Sequence, residues 1–116
     1  MPPSKATFRD VGAVTIVDLS GMFMLGESSG VLRKAILDLI GKRQGKIVLN
    51  FREVTAIDSA GVGELVAAYA EIRRIAGRLR LLNPPKKVCE MLELTQLSKV
   101  FQVYADEQSA LRSFDQ

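Results

Sequence analysis

Ile57-Asp58-Ser59-Ala60-Gly61-Val62-Gly63-Glu64-Leu65 carries more information than any other stretch of this chain. An apolar run, Ile47-Val48-Leu49, precedes it, and a helical pattern opens from it. The reading is therefore a strand feeding a helix, with an acid, a hydroxyl and two glycines at the helix N-terminus. Backbone N–H groups there lack intrahelical partners, and the helix dipole favours negative charge. A serine in that position can take a phosphoryl group with little electrostatic penalty from the helix. A glycine in a first turn costs about 1 kcal/mol against alanine. Two of them imply that something needs the flat surface they leave, and that Ser59 is a phosphorylation site on a protein-binding module. Asp58-Ser59 has a plainer reading as an ordinary N-cap, since both residue types cap helices everywhere.

Outward from this segment the pattern alternates. Val14 to Leu19 reads as a strand bounded by Gly12 and by Ser20-Gly21, with an earlier strand around Ala6 to Asp10 joined through a Val11-Gly12-Ala13 turn. Met1 to Thr7 reads as a polar lead-in, flexible over 1–5. Met22-Phe23-Met24-Leu25 is either core or an exposed loop. Ser28 or Ser29 caps a helix with the stripe Val31, Leu32, Ala35, Ile36, Leu39 and Ile40, stopped by Gly41 and Gly45. Lys46 to Phe51 is apolar enough to be covered on both faces.

The helix from Ser59 to about Ala76 buries Val62, Leu65, Val66, Tyr69, Ile72 and Ala76, and Gly77 ends it. A strand at Leu79 to Leu82, a break at Asn83-Pro84-Pro85, a helix near Lys86 to Leu94, a strand at Val100 to Tyr104 and a helix capped by Asp106 complete the chain. This last helix buries Ala110, Leu111 and Phe114. The order β-β-α-β-α-β-α-β-α gives a single α/β domain over residues 1–116, with a core at about 14–114. Its mixed sheet has four to five strands and about four helices, and its crossovers are right-handed.

Composition narrows the chemistry. With 116 residues, 47% hydrophobic and 25% charged, the chain has the make-up of a one-domain globular protein. It contains no histidine, which removes Ser-His-Asp and Cys-His catalysis and histidine metal sites. The single cysteine, Cys89, excludes an internal disulfide; it reads as an inert thiol in a helix rather than a reactive one. No signal peptide or membrane span is evident, so a cytoplasmic location is expected. No cofactor, metal, nucleic acid or membrane partner is implied.

Two motifs fail on inspection. Gly41-Lys42-Arg43-Gln44-Gly45-Lys46 is too short for a phosphate loop, ends in Ile47 where Ser or Thr is needed, and lies between a helix and a strand in the wrong order. Gly61-Val62-Gly63 lacks the third glycine of a dinucleotide fingerprint, since Val66 stands there. A nucleotide hydrolase built on that turn therefore has no base, metal set or phosphate loop. Arg73, Arg74, Arg78, Arg80, Lys86 and Lys87 form the densest basic cluster, read as solvated helix-end charge or as a binding patch.

These residues together resemble the STAS domain of anti-sigma factor antagonists. The similarity runs from Val14 to Phe114. It includes Leu19-Ser20-Gly21, Leu49-Asn50-Phe51 through Ile57-Asp58-Ser59-Ala60-Gly61-Val62-Gly63, Leu81-Leu82-Asn83-Pro84, and Leu94-Thr95-Gln96-Leu97.

The resemblance implies a non-enzymatic partner switch. An unphosphorylated antagonist binds an anti-sigma factor that is also a serine kinase, and so frees a sigma factor. Phosphorylation of the serine breaks the complex, and a metal-dependent serine phosphatase restores it. The implied phosphoacceptor is Ser59. The implied docking surface is Ser20, Gly21, Met22, Phe23, Thr55, Asp58, Ala60, Gly61, Val62, Gly63 and Glu64, on a monomer or weak dimer. Many members carry a second hydroxyl residue where this chain has Ala60, which leaves Ser59 as the lone acceptor of the turn. The alternative is a scaffold or regulatory subunit of a larger signalling or lipid-transport complex.

Overall fold

The structure, a computed structural model, describes residues 3–24 and 30–115. Five strands, β1 (Lys5–Val11), β2 (Val14–Phe23), β3 (Lys46–Ile57), β4 (Arg78–Leu82) and β5 (Gln102–Tyr104), form one sheet in sequence order. β1 pairs antiparallel with β2, and the remaining pairs are parallel. The crossovers carry α1 (Val31–Gly41), α2 (Ser59–Arg74) and α3 (Lys86–Leu94), and α4 (Glu107–Arg112) closes the chain. The expected α/β order holds throughout.

Alternation along the strands divides the core between the two sheet faces. Val17, Leu19, Ile47, Leu49 and Leu81 meet Leu32, Ile36, Leu65, Ile72 and Leu92 from α1, α2 and α3. Val14, Ile16, Val48 and Leu82 point the other way, onto Ala110 and Phe114. Ile47, Val48 and Leu49 are each fully buried, as a strand covered on both faces requires.

Several boundaries move. Lys5 already belongs to β1, so the lead-in is shorter than the polar composition implies. β2 does not stop at Leu19. Gly21 adopts φ 87, and register shifts fall between Asp18 and Ser20 and between Gly21 and Met22, so a bulge carries the strand on to Phe23. Phe23 is core, Met22 and Met24 are half-buried, and Leu25 lies outside the described residues. Gly30 occupies the N-cap position of α1, and Ser28 and Ser29 also lie outside the described residues. Val100 precedes rather than opens the last strand, after a 3-10 turn at Leu97–Lys99. Leu111 is only half-buried.

The stops of α1 and α2 differ most from expectation. Arg43 (φ 59) and Ala76 (φ 57) take the left-handed position that ends a helix, a place where glycine is usual. Each helix closes with the same pair of bonds. Arg43 N donates to Ile40 O and Gln44 N to Leu39 O; Ala76 N donates to Arg73 O and Gly77 N to Ile72 O. Ala76 is exposed, and Ala68 takes its place in the buried stripe. Gly45 and Gly77 serve a different need. A Cβ on Gly77 would lie 2.9 Å from Gly45 O, so the two loops pack backbone to backbone.

Candidate functional site

The strand-to-helix turn after β3 is built around Asp58. Its backbone is extended, and its Oδ1 accepts hydrogen bonds from Ala60 N at 3.0 Å and Gly61 N at 3.1 Å. The first helical bond, Val62 N to Asp58 O, is 3.0 Å. Asp58 is therefore the N-cap of α2. Ser59 is the first residue of the helix, exposed, and its hydroxyl makes no hydrogen bond among the described residues. The capping duty that either residue could have met falls to Asp58, and the Ser59 hydroxyl faces solvent at the positive end of a 16-residue helix.

The two glycines of the turn have opposite roles. Gly61 is buried, and a Cβ there would lie 2.3 Å from Phe23 O and 2.7 Å from Ile57 Cγ1. It is needed because the end of β2 crosses directly over the helix start. Gly63 is exposed, and nothing lies within 4 Å of the place its Cβ would take. Of the two glycines, only Gly63 leaves an open, flat surface at the turn.

The end of β2 sits beside this turn through its pairing with β3. Phe23 pairs with Ile57, Met22 with Ala56, Gly21 with Val54 and Ser20 with Glu53. Thr55, which the register skips between the Gly21 and Met22 pairs, is exposed. Ser20, Met22, Asp58, Ala60 and Glu64 are half-buried, and Ser59, Thr55 and Gly63 are exposed. Gly21, Phe23, Gly61 and Val62 are buried, so they shape the surface from beneath. Glu64 Oε1 accepts from Gly30 N at 3.2 Å, which fastens the start of α1 to the first turns of α2.

A polar network that the sequence pattern did not reveal braces the opposite sheet face. Arg9 donates to Asp18 through Nε (2.5 Å) and Nη2 (3.1 Å) and to Glu107 Oε1 (2.8 Å), while Asn50 Nδ2 donates to Asp18 Oδ1 (2.8 Å). The Arg9 hydrogen bonds hold the Asp18 carboxyl below its ordinary range, against the opposing effect of desolvation. Only the period-2 placement of Arg9 opposite Asp18's strand could have hinted at it.

The basic cluster does not form one patch. Arg80 is buried, donates from Nε to Ser113 Oγ at 2.9 Å and lies 4.8 Å over the Phe114 ring. Desolvation pushes its guanidinium below the usual range. Arg74 pairs with Glu71 and Lys86 with Glu90, both at the surface. Cys89 is half-buried on α3. Among the described residues no cluster of three His, Cys, Asp or Glu could hold a metal ion, and no helix is long and apolar enough to cross a membrane.

Comparison with known proteins agrees with this geometry. The sequence profile of the STAS domain matches residues 5–110. An anti-sigma F factor antagonist of Paenibacillus polymyxa is 30% identical over 105 residues, which cover 88% of this chain and 87% of that protein. An anti-sigma factor antagonist from Mycobacterium paratuberculosis superposes with a TM-score of 0.83 at 21% identity, covering 97% of this chain and 95% of its own. The Bacillus cell fate determinant SpoIIAA, in its phosphorylated form, superposes at 0.72 with 23% identity, covering 93% of this chain and 98% of its own.

Proposed function

From the premise that this chain belongs to the STAS domain family, with relatives named anti-sigma factor antagonists, we propose that it is a partner switch operated at Ser59. Unphosphorylated, it binds an anti-sigma factor with serine-kinase activity and so releases a sigma factor. Phosphorylated on Ser59, it lets that partner go, and a metal-dependent phosphatase resets it. The chain acts by binding, not by catalysis.

One observation carries this reading: the cap of α2 is Asp58, which leaves an exposed Ser59 hydroxyl with no structural duty. A kinase must draw the acceptor oxygen into line with a nucleotide phosphate, and an exposed hydroxyl at a turn allows that. The open space at Gly63 and the half-buried Ala60 keep the approach clear.

The switching force is electrostatic. A phosphoserine adds roughly −1.5 to −2 charges at neutral pH. Placed next to Asp58, it concentrates negative charge where the partner holds its own nucleotide phosphates. A change of a few kcal/mol at that contact alters binding by two orders of magnitude or more.

The test is a comparison of two baits in lysate of the native organism, Ser59→Ala and Ser59→Glu, read by mass spectrometry. A serine-kinase anti-sigma factor held by the first and lost by the second supports the switch. The same partners on both baits, or none on either, rejects it.

A further inference from the structure

β1 forms an edge of the sheet without most of the devices that usually guard one. Its residues, Lys5–Val11, pair with β2 in an unbroken register, and no strand lies beyond it among the described residues. Edge strands are closed to other chains by a proline, a bulge or a charge turned toward the edge. β1 has no proline and no register shift, and Lys5 stands only at its end. Its inner charges are engaged within the chain: Arg9 bonds to Asp18 and Glu107, and Asp10 accepts from Thr15 Oγ1 at 2.7 Å. Phe8 and Val11 are left exposed, at 44% and 38%.

The hairpin sets which backbone groups are open. Val11 pairs with Val14 across the turn Gly12-Ala13, so Val11, Arg9, Thr7 and Lys5 exchange hydrogen bonds with β2. Ala6, Phe8 and Asp10 then turn their N–H and C=O groups outward. A second copy can bond to these residues, antiparallel, about a two-fold axis normal to the sheet. Charge selects the register. Centred on Thr7, Lys5 would oppose Arg9 of the other copy; centred on Arg9, the two guanidinium groups would face each other. Centred on Phe8, Phe8 meets Phe8, Ala6 meets Asp10 and Thr7 meets Arg9, with no like charges opposed.

The same axis brings the two α1 helices alongside each other. A groove of about 250 Å³ lies between β1 and α1, and Phe8, Lys34 and Asp38 all line it. Lys34 and Asp38 are exposed, one helical turn apart, and neither makes an ion pair among the described residues. Antiparallel across the axis, Lys34 of each copy faces Asp38 of the other. Such a pattern is complementary to itself, as a two-fold contact requires.

We propose that β1 is a surface for a second copy of this chain, pairing through Phe8 so that two five-stranded sheets become one. Lys34 and Asp38 cross between the α1 helices and fix the register. The contact uses none of the surface around Ser59 and does not rest on the switch.

The test is sedimentation equilibrium of the full chain from about 10 μM to 1 mM, with amide hydrogen exchange measured at both ends of that range. The expected result is a reversible dimer. Exchange at Ala6, Phe8 and Asp10 should slow about tenfold or more with concentration, while Thr7 and Arg9, bonded to β2, stay equally protected. Phe8→Lys, which puts a charge on the edge, should weaken the dimer about tenfold. Lys34→Glu and Asp38→Lys should each weaken it about fivefold, and the double variant Lys34→Glu/Asp38→Lys should restore it. These two positions lie on the helix surface, so they decide the matter even if Phe8→Lys fails to fold. A monomer throughout, which would leave the edge to a different protein, overturns the proposal. So does a dimer whose exchange slows elsewhere, one that neither single charge change weakens, or one that the double swap fails to restore.

Discussion

The carbonyl oxygen of Phe23 fills the space in which Gly61 would carry a side chain. The oxygen lies 2.3 Å from the position of that Cβ, closer than any real contact. The last residue of β2 is therefore pressed onto the first turn of α2, and Asp58 N also faces Phe23 O at 3.4 Å. Gly61→Ala should lose stability by about 2–3 kcal/mol, because strand and helix must part and the helix-propensity gain of about 1 kcal/mol is too small to offset this. Gly63→Ala, in open space, should gain about 0.5–1 kcal/mol. Urea denaturation of the two variants gives opposite signs if the two glycines have the roles described.

Asp58 holds two orphan N–H groups of α2 with one oxygen. Asp58→Ala should cost about 1 kcal/mol, and Asp58→Asn, which keeps an acceptor oxygen, should cost less than half as much. Ser59→Ala should leave stability within about 0.5 kcal/mol, since the serine makes no bond that the fold needs. Thermal melts of the three variants separate the cap from the acceptor.

Asp18 links acid stability to the Arg9 brace. Its folded carboxyl is held below the ordinary value, first by the Arg9 hydrogen bonds. A carboxylate depressed on folding contributes stability above its unfolded value of about 3.9 and loses it as pH falls through the lower folded value. Stability should therefore drop as pH falls below about 4, and Asp18→Asn should flatten that slope while lowering stability at pH 7 by about 1 kcal/mol or less. The figure is modest because Arg9 is 43% exposed and solvent screens the pair. Denaturation midpoints between pH 2 and pH 7 measure both effects.

Arg80 is a packing residue despite its charge. Truncation to alanine should cost about 2–3 kcal/mol, through loss of the Phe114 contact and the Ser113 bond. Ser113→Ala should cost less, about 1 kcal/mol, since the guanidinium keeps its place over the ring. A double variant falling short of the sum of the two would show the coupling in an equilibrium melt.

Much of the fold was legible in the sequence because periodicity reports burial directly. Ile47-Val48-Leu49 gave a strand covered on both faces, and the stripe Val62, Leu65, Ile72 gave the buried side of α2. The turn at Asp58 was legible too, since cap chemistry is local.

What escaped was non-local. Ser20-Gly21 looked like a strand end, yet it is a bulge whose continuation to Phe23 depends on pairing with β3. Gly61 and Gly63 looked alike in sequence, and only the passage of Phe23 over one of them separates their roles. Arg80 looked like part of a surface cluster until α4 laid Phe114 and Ser113 across it. Helix ends at Arg43 and Ala76 defied the glycine rule because the nearby glycines were needed where the two loops touch.

In the switch proposed for this chain, phosphorylation of Ser59 lowers partner affinity without altering the fold. Calorimetric titration of the serine-kinase anti-sigma factor with wild-type chain, Ser59→Ala and the Ser59-phosphorylated form measures this directly. The first two should bind tightly and the phosphorylated chain at least a hundredfold more weakly, with all three melting as well-folded domains. Equal affinity for the phosphorylated and unphosphorylated chains would contradict it.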